Sequence, residues 1–365
     1  MAPLRLGYCI TAHGFGHAAR SAAIMEALSR LAEVEFVVVG AVPAWFFAGS
    51  GIRLAALHPL QVDVGLVQAT ALQEEMGATL AALDRFYPLD AGFVGQVASL
   101  FAGCRLLLSD IAPAGIMAAA RAGVPSVLVE NFTWDWIYEA YLDRWPGLAP
   151  HVRSLRAIYR QADFHLQTEP VCRLSDCDLR VAPVSRAPRR PPAQVRRLLQ
   201  VGPEQRMVLV TMGGVRGEPL DPAPMLARPD LVFVLPGSPV ERPTVRENLR
   251  LLPLDSGIHH PDLIAAADVV VGKVGYSTLA EVHAAGVPFA YVCRPDFPES
   301  AHLASFIDRT MTGREISLTR FLDGAWVDDL DSLVRLDSRG RRVNGAPEAA
   351  RFLSRLLDSG QLGIP

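Results

Sequence analysis

Two histidines flank a glycine-rich loop near the start of the chain, in the run Thr11-Ala12-His13-Gly14-Phe15-Gly16-His17. Glycines at alternate positions let such a loop wrap closely around a ligand. An imidazole can take a proton from a hydroxyl group at neutral pH, because its ordinary pKa lies near ~6.5. The loop therefore predicts a proton-transfer site, with His17 favoured over His13 as the base and the intervening residues 14–16 contacting the ligand.

Asp110 follows the apolar run 105–109, which has the pattern of a buried strand. If that strand is parallel to the first one, Asp110 lies at the same sheet edge as His17. Its carboxylate would then orient the imidazole and stabilise its protonated form. A second interpretation is that Asp110 only caps the helix that begins near Pro113.

Asn131 and Trp134 follow the next predicted strand, at 126–130. An amide and an aromatic ring at such a position suit a hydroxyl-rich or cyclic acceptor. Packing in the core explains Trp134 nearly as well. Both residues are candidates for the acceptor-binding loop.

A second ligand-binding pattern lies in the other half, in the run Val269-Val270-Val271-Gly272-Lys273-Val274-Gly275-Tyr276-Ser277-Thr278-Leu279-Ala280-Glu281. Three valines are typical of a covered parallel strand, and Gly272 and Gly275 predict a tight turn after it. Ser277 or Thr278 then opens a helix whose unpaired N–H groups face the turn. Glu281, one turn further on, is placed to accept hydrogen bonds from a ribose. The segment predicts a nucleotide site, with donor-binding residues Lys273, Gly275, Tyr276, Ser277, Thr278 and Glu281.

Two other loops in this half suit the same ligand. Gly213 and Gly214 end a strand and offer backbone amides, and Arg216 adds a positive charge for a diphosphate. An ordinary turn is the alternative for them. Glu299 follows the last strand, where it would contact sugar hydroxyls or cap the next helix. No Cys or His spacing predicts a metal site.

The composition is that of a globular protein, with 365 residues, 50% hydrophobic and 20% charged. A net charge of −3 argues against a nucleic-acid-binding protein. Five scattered cysteines predict thiols in a reducing compartment. With no signal peptide and no apolar segment of membrane-spanning length, the sequence predicts a cytoplasmic protein without a transmembrane segment.

Strand and helix patterns alternate in both halves, which predicts an α/β protein with two doubly wound Rossmann-like domains facing a cleft. We expect an N-terminal acceptor-binding domain at 1–185 and a nucleotide-sugar-binding domain at 204–345. The Pro- and Arg-rich segment 186–203 predicts an extended, solvated linker. The segment 346–365 predicts a helix that packs back on the first domain. The region 72–101 has a largely helical pattern with a break at Tyr87-Pro88.

With these motifs in this order, the chain resembles the GT-B glycosyltransferases of the MurG type. It is most similar to the glycosyltransferase-like N-terminal half of plant arabinokinases. The resemblance spans nearly the whole chain and is carried by the segments 11–20, 109–110, 131–138, 264–281 and 294–299. The sugar-kinase half does not follow before Pro365, so the resemblance implies no kinase activity.

The resemblance implies a role for each matching residue. His17 would activate the acceptor, and Asp110 would orient it. Gly275 to Thr278 would form the diphosphate turn, Glu281 would bind the ribose, and Glu299 would contact the donor sugar. Two departures stand out: Ser277 occupies the position of a second glycine, and Ser300 that of a second acidic residue.

The sequence therefore predicts an inverting, metal-independent glycosyltransferase that uses a nucleotide-sugar donor, UDP-linked, a small-molecule or glycan acceptor and no other cofactor. Two other interpretations stay open. The same fold hosts nucleotide-sugar epimerases and hydrolases, and a protein that had lost catalysis would only bind the nucleotide sugar.

Overall fold

The structure is a computed structural model that describes residues 3–213, 220–334 and 342–358. The chain divides into two compact units, each built on a seven-stranded sheet. The first unit comprises Met1–Val67, Glu75–Ser185 and Asn344–Pro365. The second comprises Gln68–Glu74 and Arg186–Val343. The α/β class with two Rossmann-like sheets, predicted from the alternating patterns, is confirmed.

The elements follow one another along the chain in an alternating series. Up to residue 185 they are β1 (Leu4–Ile10), α1 (Gly16–Ser29), β2 (Val34–Val39), β3 (Leu54–His58), β4 (Gln68–Thr70), β5 (Gln73–Glu74), α2 (Met76–Phe86), α3 (Ala91–Leu100), β6 (Leu107–Asp110), α4 (Pro113–Ala122), β7 (Ser126–Glu130), α5 (Trp134–Glu139), α6 (Ala149–Tyr159), β8 (Phe164–Thr168) and β9 (Leu179–Val181).

The remaining elements are α7 (Pro192–Leu198), β10 (Arg206–Thr211), α8 (Ala223–Leu226), β11 (Leu231–Pro236), β12 (Thr244–Arg246), β13 (Leu249–Leu252), α9 (His260–Ala266), β14 (Val269–Lys273), α10 (Tyr276–Ala285), β15 (Phe289–Val292), α11 (Glu299–Thr310), β16 (Gly313–Glu315), α12 (Leu318–Leu322), α13 (Leu330–Val334) and α14 (Ala346–Asp358). Short 3-10 helices lie at Ala44–Phe47, Pro146–Leu148 and Ala325–Asp329.

The sheet of the first unit has the order β3-β2-β1-β6-β7-β8-β9, and all its strand pairs are parallel. Helices α1 and α14 cover one face and α3 and α4 cover the other. Both faces of this sheet are therefore buried, which explains the continuous apolar runs in these strands. Ile10 of β1 pairs with Asp110 of β6, so the loop after β1 begins beside Asp110.

The sheet of the second unit has the order β12-β13-β11-β10-β14-β15-β16. Only the edge strand β12 is antiparallel among its described pairs. Helices α7, α9, α10 and α11 cover one face of this sheet. Thr211 of β10 pairs with Gly272 of β14, so the loops that follow these two strands start side by side.

Two segments differ from the sequence-based expectation. Residues 72–74 are not helical, because β4 and β5 form an antiparallel hairpin and the helices begin only at Met76. Leu72 of this hairpin is buried in the core of the second unit, so its apolar character serves tertiary packing rather than a helix.

The segment 186–203 is also not a solvated linker. Its prolines lead into α7, which buries Val195 and Leu199 in the core of the second unit. Arg186 at its start is buried as well. The prolines that predicted an extended connection instead begin a helix, with Pro192 in its first turn. Arg186 forms a buried ion pair with Glu281.

Gly272 is a strand residue rather than a turn residue. A Cβ atom at this position would overlap the backbone oxygen of Thr211, so only glycine lets β14 and β10 approach this closely. The helix α10 then begins at Tyr276, with Gly275 as its N-cap.

Candidate active site

His17 and Asp110 are hydrogen-bonded at the edge of the first sheet. His17 Nδ1 lies 2.7 Å from Asp110 Oδ1, although the residues are 93 positions apart. Asp110 is fully buried, and His17 is only 7% exposed. Helix α4 starts after Ala112 without a side-chain cap, so the cap alternative for Asp110 is wrong.

Arg20, one turn after His17 on α1, completes this cluster. Its Nε donates to Asp110 Oδ2 at 2.9 Å and its Nη2 to Oδ1 at 2.6 Å, a two-point ion pair. Burial alone would raise the pKa of Asp110, but the charge and hydrogen bonds of Arg20, followed by those of His17, hold it below its ordinary value. The sequence motif contained Arg20, but nothing in its spacing predicted that it would bind this carboxylate.

Asn131 lies in the same buried cluster. Its Oδ1 accepts a hydrogen bond from Arg20 Nη1 at 2.7 Å, and the residue is fully buried. The structure therefore brings Asn131 to His17 through Arg20. Its predicted direct contact with an acceptor stays a prediction.

The rest of the first glycine loop packs against aromatic rings. His13 lies edge-on to Trp134, with ring centroids 5.2 Å apart. Phe15 is the N-cap of α1 and stacks on Phe46 at 5.3 Å. Gly14 has a φ of 71°, a left-handed conformation that favours glycine, and Gly16 begins the helix. The loop is thus held in place by its side chains.

Asp63 is a second buried carboxylate near this loop, and no sequence pattern pointed to it. Trp134 Nε1 donates to Asp63 Oδ2 at 2.9 Å, which accounts for the burial of both side chains. Burial raises the pKa of Asp63 to about 6, although the Trp134 hydrogen bond and the charge of His17 lower it. The two carboxylates around His17 therefore differ in acidity.

Lys273 ends β14 in the second unit, where it lies between two glycines. A Cβ at Gly213 would meet Lys273 Nζ at 3.7 Å, and a Cβ at Gly275 would meet its Cε at 3.9 Å. Burial, and next the charge of Arg294, lower the pKa of Lys273 to about 7. At both glycines an added atom would make an ordinary van der Waals contact with the Lys273 side chain, so a ligand atom fits beside it.

Helix α10 presents its N-terminus beside Lys273. Gly275 has an extended backbone, with φ −156°, so the predicted tight turn at this glycine is wrong. Its lack of a side chain instead keeps the helix start open. Ser277 is half-buried, whereas Tyr276 and Thr278 are buried. The first N–H groups of this ten-residue helix and its positive dipole end favour a negative charge here.

Glu281 is held on both carboxylate oxygens by protein groups. Arg186 Nε donates to Oε1 at 2.9 Å, and His260 Nδ1 lies 2.8 Å from Oε2. Burial would raise the pKa of Glu281, but Arg186 and then His260 lower it to about 2. The position was predicted to bind a ribose, and no sequence pattern indicated these two partners.

Glu299 lies at the start of α11 in a charged cluster with Arg294. Arg294 Nη2 is 3.9 Å from Glu299 Oε2, its Nη1 is 3.3 Å from Glu74 Oε1, and its guanidinium lies over the ring of Phe297. Glu299 and Arg294 are both buried. The predicted contact of Glu299 with a donor sugar stays a prediction.

Two of the predicted donor-binding residues, Gly214 and Arg216, lie outside the described residues. Among residues 3–213, 220–334 and 342–358, no helix combines the length and hydropathy that crossing a bilayer requires. The described part of the chain also gathers no trio of His, Cys, Asp or Glu side chains suited to a metal ion.

Comparisons with known proteins bear on these two units. No protein-family model matches the chain. In solved structures, the spinosyn forosaminyltransferase SpnP has a TM-score of 0.58 at 15% identity, covering 97% of this chain and 95% of that one. MurG from Acinetobacter baumannii has a TM-score of 0.53 at 12% identity, covering 98% of this chain and 100% of that one. The chain has the GT-B fold.

Two curated relatives confirm the resemblance to the MurG type and to arabinokinases. L-arabinokinase from Arabidopsis thaliana is 29% identical over 371 residues, 96% of this chain. The match covers 34% of that protein, so this GT-B chain spans about a third of its relative's length. The UDP-N-acetylglucosamine–N-acetylmuramyl-(pentapeptide) pyrophosphoryl-undecaprenol N-acetylglucosamine transferase of Halalkalibacterium halodurans is 25% identical over 266 residues, 66% of this chain and 69% of that one.

Proposed function

We propose that this protein is a glycosyltransferase that moves a sugar from a nucleotide-sugar donor, UDP-linked, to a hydroxyl or other nucleophilic acceptor. The observation that carries the proposal is the buried His17–Asp110 pair on a GT-B fold. The first unit binds the acceptor and the second binds the donor. The UDP-sugar in the name of the Halalkalibacterium halodurans relative supports this donor class.

In the acceptor half of the reaction, His17 is the base. Because the ionised Asp110 only accepts hydrogen bonds, it fixes the proton of His17 on Nδ1 and leaves Nε2 to take the acceptor proton. The acceptor oxygen then attacks the anomeric carbon as the bond to the diphosphate breaks. A single displacement inverts the configuration at this carbon. Asp110 keeps the imidazole oriented while Nε2 carries this proton.

In the donor half, positive charge stabilises the leaving diphosphate. Lys273 and the N-terminus of α10 lie together beside Gly213 and Gly275. Preorganised donors of this kind are most effective where charge develops in the transition state. We propose that these groups neutralise the leaving group without a metal ion and that the reaction uses no cofactor besides the donor.

We also propose a cytoplasmic location. All five cysteines are free thiols, which is the state that a reducing compartment maintains.

The first experiment is a calorimetric binding screen of UDP, dTDP, GDP and their sugar conjugates. We expect saturable binding of UDP and UDP-sugars, and a flat response to every nucleotide would reject the donor site. UDP-sugar is then incubated with and without a panel of acceptors. Transfer requires an acceptor, whereas an epimerase or hydrolase changes the sugar without one.

The variant His17→Gln tests the base. We expect its turnover to fall at least about 100-fold, because general base catalysis typically contributes this much or more. Its UDP dissociation constant stays within about twofold of the wild-type value, because His17 belongs to the first unit. His13→Gln is the matched control and keeps most of its activity. If the two variants exchange these results, the base is His13.

A further inference from the structure

Arg20 is a buried side chain of the candidate active site that several hydrogen bonds hold in place. It is 1% exposed, and its guanidinium bonds to Asp110 through Nε and Nη2 and to Asn131 through Nη1. A planar guanidinium matches a carboxylate in this two-point geometry, and a lysine cannot reproduce it. Arg20 therefore holds both carboxylate oxygens of Asp110.

The charges of the cluster explain what Arg20 does to His17. Asp110 accepts hydrogen bonds from Arg20, from Ser21 Oγ at 3.1 Å and from His17. The negative charge of Asp110 is already balanced by Arg20. Arg20 Nη2 also lies 3.2 Å from His17 Nδ1, so a second proton on the imidazole would place two like charges in contact in a buried site.

We infer that Arg20 is a positioning residue that balances the charge of Asp110 and thereby keeps His17 neutral, with its proton on Nδ1. This inference rests on the proposed function only in calling His17 the base. Without the guanidinium, Asp110 would be a buried anion with no cation beside it. The His17–Asp110 pair would then bind a second proton more tightly and would lose it only at a higher pH than in the wild type. Turnover would require that this proton be lost first.

Several other groups near His17 could also change how it binds protons, and the test must distinguish them from Arg20. His17 faces Asp110 on β6, Arg20 on its own helix, the rings of Phe132 and Trp134, and the charge of Asp63 in the loop before β4. His13 also packs edge-on against Trp134. Burial raises the pKa of Asp63 to about 6, so the variant Asp63→Asn serves as a control.

The test is a nuclear magnetic resonance titration of the full-length protein with ¹⁵N-labelled histidine, without any ligand, from pH 5 to 9. The signal absent from His17→Gln identifies His17. We expect the wild-type signal to show the Nδ1–H neutral tautomer at pH 7. In Arg20→Gln, which keeps donors but loses the charge, the pair should take up its second proton at a pH at least about one unit higher. Arg20→Lys should restore the wild-type titration in large part.

Two results would overturn the inference. One is a wild-type His17 that carries its proton on Nε2 at pH 7. The other is an Arg20→Gln protein that is folded by circular dichroism and titrates like the wild type. If Arg20→Gln does not fold, the wild-type tautomer still decides. This titration involves no substrate, so its outcome does not depend on UDP binding or sugar transfer. A failure of UDP binding or transfer would reject the proposed function and not this inference.

Discussion

Lys273 shows how a single residue connects burial with ligand binding. The charges of Glu299 and Glu74 favour its charged form, but burial and the charge of Arg294 outweigh them. Its pKa is lowered to about 7 by burial and by Arg294, so a large part of the population is neutral slightly above this pH. A bound diphosphate would favour the charged form and raise this pKa again.

We therefore predict that UDP binding at pH 8 is coupled to proton uptake. Calorimetry in two buffers with different ionisation enthalpies should show uptake of up to about one proton per UDP. Lys273→Arg should bind UDP without this uptake, because a guanidinium stays charged. Lys273→Met should weaken binding roughly tenfold to a hundredfold, the effect of losing a charged hydrogen bond. Equal uptake in Lys273→Arg would contradict the assignment.

At the scale of elements, Glu281 joins three parts of the second unit. It lies on α10, while its partners are Arg186 before α7 and His260 at the start of α9. His260 Nε2 is in turn 3.2 Å from Thr211 Oγ1, at the end of β10. This geometry favours a structural role for Glu281, although its position on the helix predicted a ribose contact.

We predict that Glu281→Gln destabilises the protein by about 3–5 kcal/mol, because it leaves Arg186 buried without its counter-ion. The UDP dissociation constant should change less than about threefold. Denaturant unfolding and calorimetry check these two effects, with the exposed Glu204→Gln as the control. A residue that binds ribose would show the reverse pattern.

The pKa shift of Glu281 also makes its contribution to the stability of the protein depend on pH. Its folded pKa is about 2, below the ordinary value of 4.5. The stabilisation is therefore complete above about pH 4.5 and is lost as the pH falls towards 2. Glu281→Gln should remove this component of acid unfolding.

At the scale of the whole molecule, sequence order and unit membership do not coincide. The hairpin Gln68–Glu74 lies in the first half of the sequence but belongs to the second unit, where Leu72 is buried beside Phe233 and Trp326. The helix α14 at the other end packs on α1 of the first unit. Each unit is thus completed by a segment that is distant in sequence.

We predict that Leu72→Ala destabilises the second unit by about 2–4 kcal/mol, the usual effect of a cavity in a packed core. Hydrogen exchange followed by mass spectrometry should show faster exchange in β10 and β14 than in the wild type, with β1 and β6 unchanged. The matched control Leu83→Ala, in the buried face of α2, should give the opposite pattern. Faster exchange in both sheets for Leu72→Ala would contradict this assignment.

The sequence by itself determined the repeated strand–helix alternation. The buried strands β1 and β7 follow from their apolar runs, because a parallel strand covered on both faces needs apolar side chains throughout. The edge strands β3, β9, β12 and β16, and β13 beside β12, did not follow, because they are short and only partly apolar. The hairpin was missed because the apolar residue Leu72 continues a helical pattern while it packs elsewhere.

For the candidate site, the sequence determined which residues could do chemistry and that His17 and Asp110 follow strands. Only the tertiary structure decided their partners. Arg20 binds Asp110, and Arg186 and His260 bind Glu281, across separations of 90, 95 and 21 residues. Charge balance in a buried site depends on which groups the fold brings within hydrogen-bond distance, and residue spacing does not encode this. The sequence therefore determined the candidate bases and cations, and the fold decided their protonation.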